Sequence, residues 1–198
     1  MPAIIVRAPK PDDRTDWTRM WSANCAHFGA SMSEAHDREL WRRIMDPDHP
    51  VGALVCSPSD SEVTLLGLAH YVLHPHTFSN KMVCYLEDLW AQPSARRAGI
   101  GRAFVDALVA LGKEQDWRRI YWHTETDNVT ARSLYDRFAT ATNYVRYDIG
   151  LPRPGGVKTS ARSSFATAEL AGRITGHGHV SVSSVSFRRK RKTFSARD

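Results

Sequence analysis

A chain of 198 residues, 42% hydrophobic and 24% charged, is long enough for one domain with a sizeable core, and its composition is neither that of a disordered nor of a fibrous protein. No run approaches the ~20 apolar residues of a membrane span, the opening stretch lacks a basic region followed by an apolar signal core, and Cys25, Cys56 and Cys84 stand alone without a CxxC pair, which argues against a disulfide framework or a zinc ribbon. The net charge of +6 divides unevenly: residues 1–151 hold 17 Lys and Arg against 19 Asp and Glu, residues 152–198 hold 10 against 2, so the basic character belongs to the tail and the mildly acidic body suits a cationic substrate better than nucleic acid.

In chain order, Ile4, Ile5 and Val6 predict an opening strand cut off by Pro9 and Pro11. Asp12 and Asp13 can cap a helix whose face carries Trp17, Met20, Trp21, Asn24 and Phe28 and which ends near Gly29. Ser31 and Glu34 have capping-box spacing before a second helix that presents Leu40, Trp41, Ile44 and Met45 and stops before Pro47. The β-branched stretches 51–56 and 63–73 flank the turn composition Ser57-Pro58-Ser59-Asp60 and predict a hairpin. Residues 74–80 supply the next turn, and residues 82–90 a third strand.

His70, His74 and His76 have no nearby Cys and no helical HxxxH spacing, so they are expected as loop histidines near substrate, with no metal site. From Gly101, Phe104, Val105, Leu108, Val109 and Leu111 trace a helical face ending between Gly112 and Asp116. Residues 119–124 read as a strand, 128–138 as a helix begun at Asp127 or Asn128, and 144–151 as a last strand. The expected class is α+β: a mixed, largely antiparallel sheet with flanking helices and a helix crossing between two major strands. Pro152, Pro154, Gly155 and Gly156 end the periodic pattern, so the expected organisation is one domain over 1–151 and a basic, disordered tail over 152–198.

The chemistry concentrates between Tyr85 and Gly101. A strand is followed by the basic glycine loop Arg96-Arg97-Ala98-Gly99-Ile100-Gly101 and then Arg102 and a helix, a layout whose free N–H groups, positive dipole end and arginines suit a phosphorylated ligand. A Walker loop would need Gly-Lys-Ser/Thr, and a dinucleotide fingerprint a small residue where Phe104 stands. What remains is the Arg/Gln-x-x-Gly-x-Gly/Ala loop of acyl-CoA-dependent N-acetyltransferases.

Taken with Tyr85-Leu86-Glu87-Asp88-Leu89-Trp90 before it and Asn128-x-x-Ala131-x-x-Leu134-Tyr135 after it, this loop resembles the GCN5-related N-acetyltransferase (GNAT) superfamily over about residues 3–150. Within that superfamily the chain looks most like the polyamine (spermidine/spermine) acetyltransferases and related fungal and bacterial small-amine and histone-type enzymes. The resemblance implies a sheet splayed at a cofactor cleft, with acetyl-CoA as donor. Leu89, Trp90 and Ala91 would pair with the pantetheine arm, Arg96, Arg97, Ala98, Gly99, Ile100, Gly101 and Arg102 would cradle the pyrophosphate, and Asn128 and Tyr135 would contact the cofactor from the other wall.

An amine of pKa near ~10 is mostly protonated at neutral pH and cannot attack a thioester until a base removes its proton. Glu87 fits that need: on an alternating strand it shares a side with Leu89 and Ala91, opposite Asp88 and Trp90. An N–H at Leu89 can receive the developing oxyanion. A phenol such as Tyr135 can protonate the departing thiolate, and the resemblance implies the same roles for Glu87 and Tyr135.

The expected function is acetyl transfer to a primary amine of a small, polyamine-like substrate by direct attack in a ternary complex. The alternatives are a protein or histone lysine acetyltransferase, with the run from Arg188 to Lys192 as a nuclear address, and a non-catalytic acyl-CoA or nucleic-acid binding module. A homodimer without membrane partners is expected, cytoplasmic or nuclear, with nucleic acid met only through the tail. One departure from the family stands out: where a glycine-phenylalanine turn usually precedes the last strand, this chain has Phe138-Ala139-Thr140-Ala141-Thr142-Asn143-Tyr144.

Overall fold

A computed structural model describes residues 3–59, 61 and 64–151. The strands are β1 (Ile4–Arg7), β2 (Val51–Pro58), β3 (Gly67–His76), β4 (Ser79–Ala91) and β5 (Arg119–Tyr121), and the helices α1 (Arg14–His27), α2 (Glu34–Ile44), α3 (Ile100–Glu114) and α4 (Val129–Tyr135). The sheet order is β1-β2-β3-β4-β5; the first four strands pair antiparallel and β5 lies parallel to β4. A parallel partner needs a crossover, and α3 supplies it.

Alternation along the strands divides the core between the two faces of the sheet. Val55, Leu68 and Trp90 point towards α1 and α2, where they meet Trp17, Met20, Trp21, Cys25 and Trp41. Leu54, Cys56, Ala69, Cys84 and Leu86 point the other way and meet Ile100, Phe104 and Leu108 of α3. The three cysteines are buried and free. Burial pushes the Cys56 thiol up to about 11 and the Cys84 thiol up to about 12, so both behave as small core residues.

The structure departs from the expected elements in ways that have local causes. Asp13 does not cap α1 with its side chain; a 3-10 turn over Pro11–Asp13 precedes the helix, and the buried Asp13 carboxylate takes two bonds from Arg7 (2.6 and 2.9 Å) and one from the Lys10 N–H (2.6 Å). Phe28 is exposed just past the end of α1, and Gly29 takes the left-handed turn with φ +69°. Ser33, not Ser31, caps α2 by accepting the His36 N–H at 3.2 Å. β3 begins at Gly67 and continues through His76, so the turn expected over 74–80 contracts to Thr77 and Phe78 before β4 starts at Ser79.

The strand expected over 144–151 does not form: these residues lie in neither helix nor strand, and Tyr144, Tyr147, Ile149 and Leu151 are exposed. An alternating apolar pattern makes a strand only where a neighbour exchanges hydrogen bonds with it, and the three-residue β5 ends the sheet at Tyr121. Ala139-Thr140-Ala141-Thr142 contains no glycine to turn the chain sharply back towards it. The tail expected over 152–198 lies outside the described residues.

Candidate active site

β4 carries the site because its two edges and two faces are treated differently. Along one edge it pairs with β3 from Ser79 to Ala91, whereas β5 holds the other edge only at Val83, Cys84 and Tyr85. From Leu86 to Ala91 the outer edge has no strand partner among the described residues. The sheet therefore splits where the residues of the Leu-Glu-Asp-Leu stretch stand.

Within the split, the register shifts: His70 lies opposite Asp88 and Tyr71 opposite Leu86, which leaves Glu87 as the extra residue of a β-bulge. Simple alternation is interrupted there. Leu86 and Leu89, three residues apart, both pack against the α3 side, while Asp88 and Trp90 face α1. Glu87 sits at the inversion, solvent-accessible, in the fields of Asp88, His70 and Arg146. Partial burial first, and the Asp88 charge second, raise its carboxyl pKa, with His70 and then Arg146 opposing. A carboxylate shifted this way holds a proton more readily than an ordinary glutamate, which suits a base.

The glycine loop follows a 3-10 turn over Pro93–Ala95. Arg97 has φ +66° and Gly99 φ +83°, so two left-handed residues bend the chain into the start of α3. No side chain caps this helix end, and the first-turn N–H groups of Ile100, Gly101 and Arg102 have no intrahelical acceptor. Gly99 faces open space, so the turn conformation is what calls for glycine. Gly101 is different: a Cβ there would come 2.8 Å from the Leu134 side chain, and the missing side chain lets α4 approach α3.

The three arginines diverge. Arg96 lies over the Trp90 ring at 5.1 Å, and Arg102 pairs with Asp106 at 3.3 Å. Arg97 makes no side-chain hydrogen bond or ion pair among the described residues. Trp90 itself is buried, and its indole N–H has no acceptor there.

On the opposite wall, Asn128 caps α4 by accepting the Ala131 N–H at 3.1 Å, so its side-chain oxygen is already engaged. Tyr135 is half-buried at the end of α4 with its ring 5.2 Å from that of Trp122, and burial raises its phenol pKa, keeping it a proton donor at neutral pH.

The histidines of β3 part company. His74 Nε2 meets the Tyr121 hydroxyl at 3.1 Å, in a group where Tyr121 stacks on Tyr85 at 5.1 Å and His123 packs edge-on against both. His76 Nδ1 accepts the Phe78 N–H, so the histidine ring pins the β3–β4 turn. His70 is buried behind Asp88, in contact with Trp17 of α1. The expectation of loop histidines thus fails, since all three lie on β3, and strand parity with Leu68 could have shown His70 to be a core position. Asn24, the one polar residue on the apolar face of α1, is the corresponding signal on the other side.

A cavity of about 480 Å³ lies along the C-terminal half of α3, lined by Val105, Val109, Trp117, Ile120, Trp122 and Phe138 among others. None of its lining residues belongs to the split edge or the glycine loop. The chemistry therefore points to the open edge of β4 rather than to this hollow.

The edge and loop together fit an extended thioester cofactor ending in phosphates: unpaired main chain for the arm, and helix N–H groups beside unpaired Arg97 for the charge. Comparison with known proteins agrees. The sequence pattern of the Acetyltransferase (GNAT) family matches residues 14–139. A D-amino-acid N-acetyltransferase from Saccharomyces cerevisiae, HPA3, is 28% identical over 145 residues, covering 73% of this chain and 89% of the relative.

Among solved structures, a ribosomal-protein-alanine N-acetyltransferase from Brucella melitensis biovar Abortus superposes with TM-score 0.63 at 17% identity, covering 75% of this chain and 99% of that one. An aminoglycoside acetyltransferase from an uncultured soil metagenomic sample, in complex with sisomicin, gives TM-score 0.63 at 15% identity, covering 76% and 97%. At these identities the structural neighbours speak for the fold.

Proposed function

The chain belongs to the Acetyltransferase (GNAT) family and is an acetyl-CoA-dependent N-acetyltransferase, and from that premise we propose that it acetylates a primary amine of a small cationic, polyamine-like substrate at the split edge of β4. The observation that carries the placement is the parting of β5 from β4 after Tyr85, directly before the uncapped start of α3. The adjacent carboxylates of Glu87 and Asp88, in a body whose charge is mildly negative, support a cationic acceptor.

Bound acetyl-CoA supplies an activated acetyl thioester. Leu89, Trp90 and Ala91 offer main-chain groups to its arm, and the turn from Arg96 to Arg102 offers N–H groups and positive charge to its phosphates. Glu87 removes the proton from the substrate ammonium, directly or through a water, so that the nitrogen lone pair can form the amide bond. An N–H at Leu89 meets the negative charge that grows on the acetyl oxygen. The Tyr135 hydroxyl gives its proton to the departing thiolate, the second proton that the nitrogen sheds as the amide forms restores the Tyr135 phenol by way of solvent, and the proton taken by Glu87 returns to solvent. Asn128 holds the start of α4 so that Tyr135, about two turns on, faces the cleft.

A second reading, an amino-acid acceptor, draws on Arg146. This residue stands near Tyr85 and Glu87, half-exposed and paired with Asp148 at 3.0 Å, where a guanidinium can meet a substrate carboxylate. The curated relative carries an amino-acid substrate in its name. Thiol release from acetyl-CoA, measured over polyamines, D- and L-amino acids, aminoglycosides and lysine peptides, separates these readings. Polyamine turnover that survives Arg146→Ala supports the first, whereas amino-acid turnover that collapses in the same variant supports the second. Absence of acetyl-CoA binding by calorimetry would overturn both.

A further inference from the structure

Behind the bulge lies a chain of polar contacts that the transfer chemistry above does not use. The Trp17 indole N–H donates to His70 Nε2 at 2.9 Å, His70 Nδ1 meets Asp88 Oδ2 at 3.0 Å, and Asn24 Nδ2 donates to Asp88 Oδ1 at 3.3 Å. Trp17, His70 and Asn24 are all buried. An indole N–H can only donate, so Nε2 must be the acceptor and the ring proton sits on Nδ1, directed at Asp88. Asp88 thus receives a donor on each oxygen, one from α1 and one from β3. Its carboxylate is fixed at the residue next to Glu87.

A polar chain buried between a helix and a sheet costs free energy unless every member is satisfied, and a well-packed apolar set would fill the same space. Here the chain ends on the only other acidic side chain of β4, and the tryptophan that starts it is fully buried against Trp21 and Trp41. We propose that Trp17, His70 and Asn24 hold Asp88 in place as a positioning residue for Glu87, so that its fixed negative charge tunes the base of the acetyl transfer.

The proposal rests on Glu87 being that base. The charged and titratable groups that face this carboxylate are Asp88 and Tyr85 of β4, His70 of β3 and Arg146 beyond α4. Asp88 is in turn faced from α1 by Cys25, whose thiol burial, Asp88 and Asp37 together push up to about 11. Of these neighbours Asp88 favours the protonated form of Glu87, and His70 and Arg146 the ionised one.

The test is the pH profile of kcat/KM, measured with acetyl-CoA and the best acceptor, for wild type, Glu87→Gln, Asp88→Asn and Arg146→Ala. Removing the Asp88 charge lets Glu87 ionise at lower pH, so the acid limb should move down by about half a unit or more in Asp88→Asn and up in Arg146→Ala. The limb should vanish in Glu87→Gln. If it persists there, the assignment of Glu87 as base fails. If it vanishes there but stays at the wild-type position in a folded Asp88→Asn that still binds acetyl-CoA, the tuning role alone fails.

Should Asp88→Asn not fold, Asn24→Ala removes one donor from Asp88 without removing a charge and should move the limb down, by less than Asp88→Asn would; a limb that stays at the wild-type position in the folded Asn24→Ala protein would contradict the positioning role. Nitrogen-15 spectra of the wild-type protein give a check that needs no variant: His70 should show the Nδ1–H tautomer alone, and the Nε2–H tautomer would overturn the proposal.

Discussion

The two sides of β4 are built to opposite specifications. Towards α1, the polar atoms of Asp88, His70, Trp17 and Asn24 satisfy one another, with Trp17, His70 and Asn24 buried beside Trp21 and Trp41 and Asp88 partly exposed at the outer end. Towards α3, the outer edge from Leu86 to Ala91 lacks a strand partner, the first turn of the helix lacks a cap, and Arg97 lacks an ion pair among the described residues. A folded protein leaves main-chain groups unmatched at a place shielded by walls on either side mostly where a ligand will match them. The closed side therefore reads as scaffold and tuning, the open side as binding and transfer, with Glu87 at the bulge that joins them.

Substitutions separate the two sides. Glu87→Gln should lower kcat by about 10²–10⁴-fold with acetyl-CoA affinity by calorimetry unchanged; a fall in affinity of similar size would move Glu87 from base to binding. Asp13→Asn touches only the scaffold and should cost about 3 kcal/mol in urea unfolding at pH 7, with kcat preserved in the folded fraction.

The pH dependence of that scaffold contact has a definite sign. Burial alone would raise the Asp13 carboxyl pKa, but the Arg7 bonds, the Lys10 N–H and both positive charges bring it below the usual carboxylate value. The ionised form thus stabilises the fold at neutral pH, and the contribution is lost as pH falls through the folded pKa, so the gap between variant and wild type should close in acid.

Tyr135→Phe should slow turnover by about 10²-fold at neutral pH and spare substrates whose leaving thiol needs no proton in the slow step. Gly99→Ala should show the smallest effect. At φ +83° a side chain costs about 1 kcal/mol, so the expected result is an unfolding free energy lower by about that amount together with a several-fold weaker acetyl-CoA affinity.

The open side was the more legible in sequence. Arg96-Arg97-Ala98-Gly99-Ile100-Gly101 is contiguous, the apolar period after it marks α3 within a residue of its observed start, and Asn128 announces α4 as its cap. The closed side was not legible, because it depends on which residue of β3 faces which residue of β4. His70 meets Asp88 only because the register slips at Glu87, and no local property of Tyr85-Leu86-Glu87-Asp88 records that slip.

The failures have the same origin. Residues 144–151 alternate like a strand, yet pairing needs an edge that β5 does not extend to. Ser31 has the spacing of a capping box, but the chain enters α2 two residues later, at Ser33. Local chemistry fixes where a ligand loop can be, whereas long-range register decides what stands behind it.

Amide hydrogen exchange of the wild-type protein with and without acetyl-CoA tests this division most directly. The expected result is added protection concentrated in residues 86–91 and 96–102, with α1 and β3 unchanged because their groups are already paired. Protection that appears instead along the hollow lined by Val105, Trp117 and Phe138, with residues 86–91 exchanging as before, would contradict it.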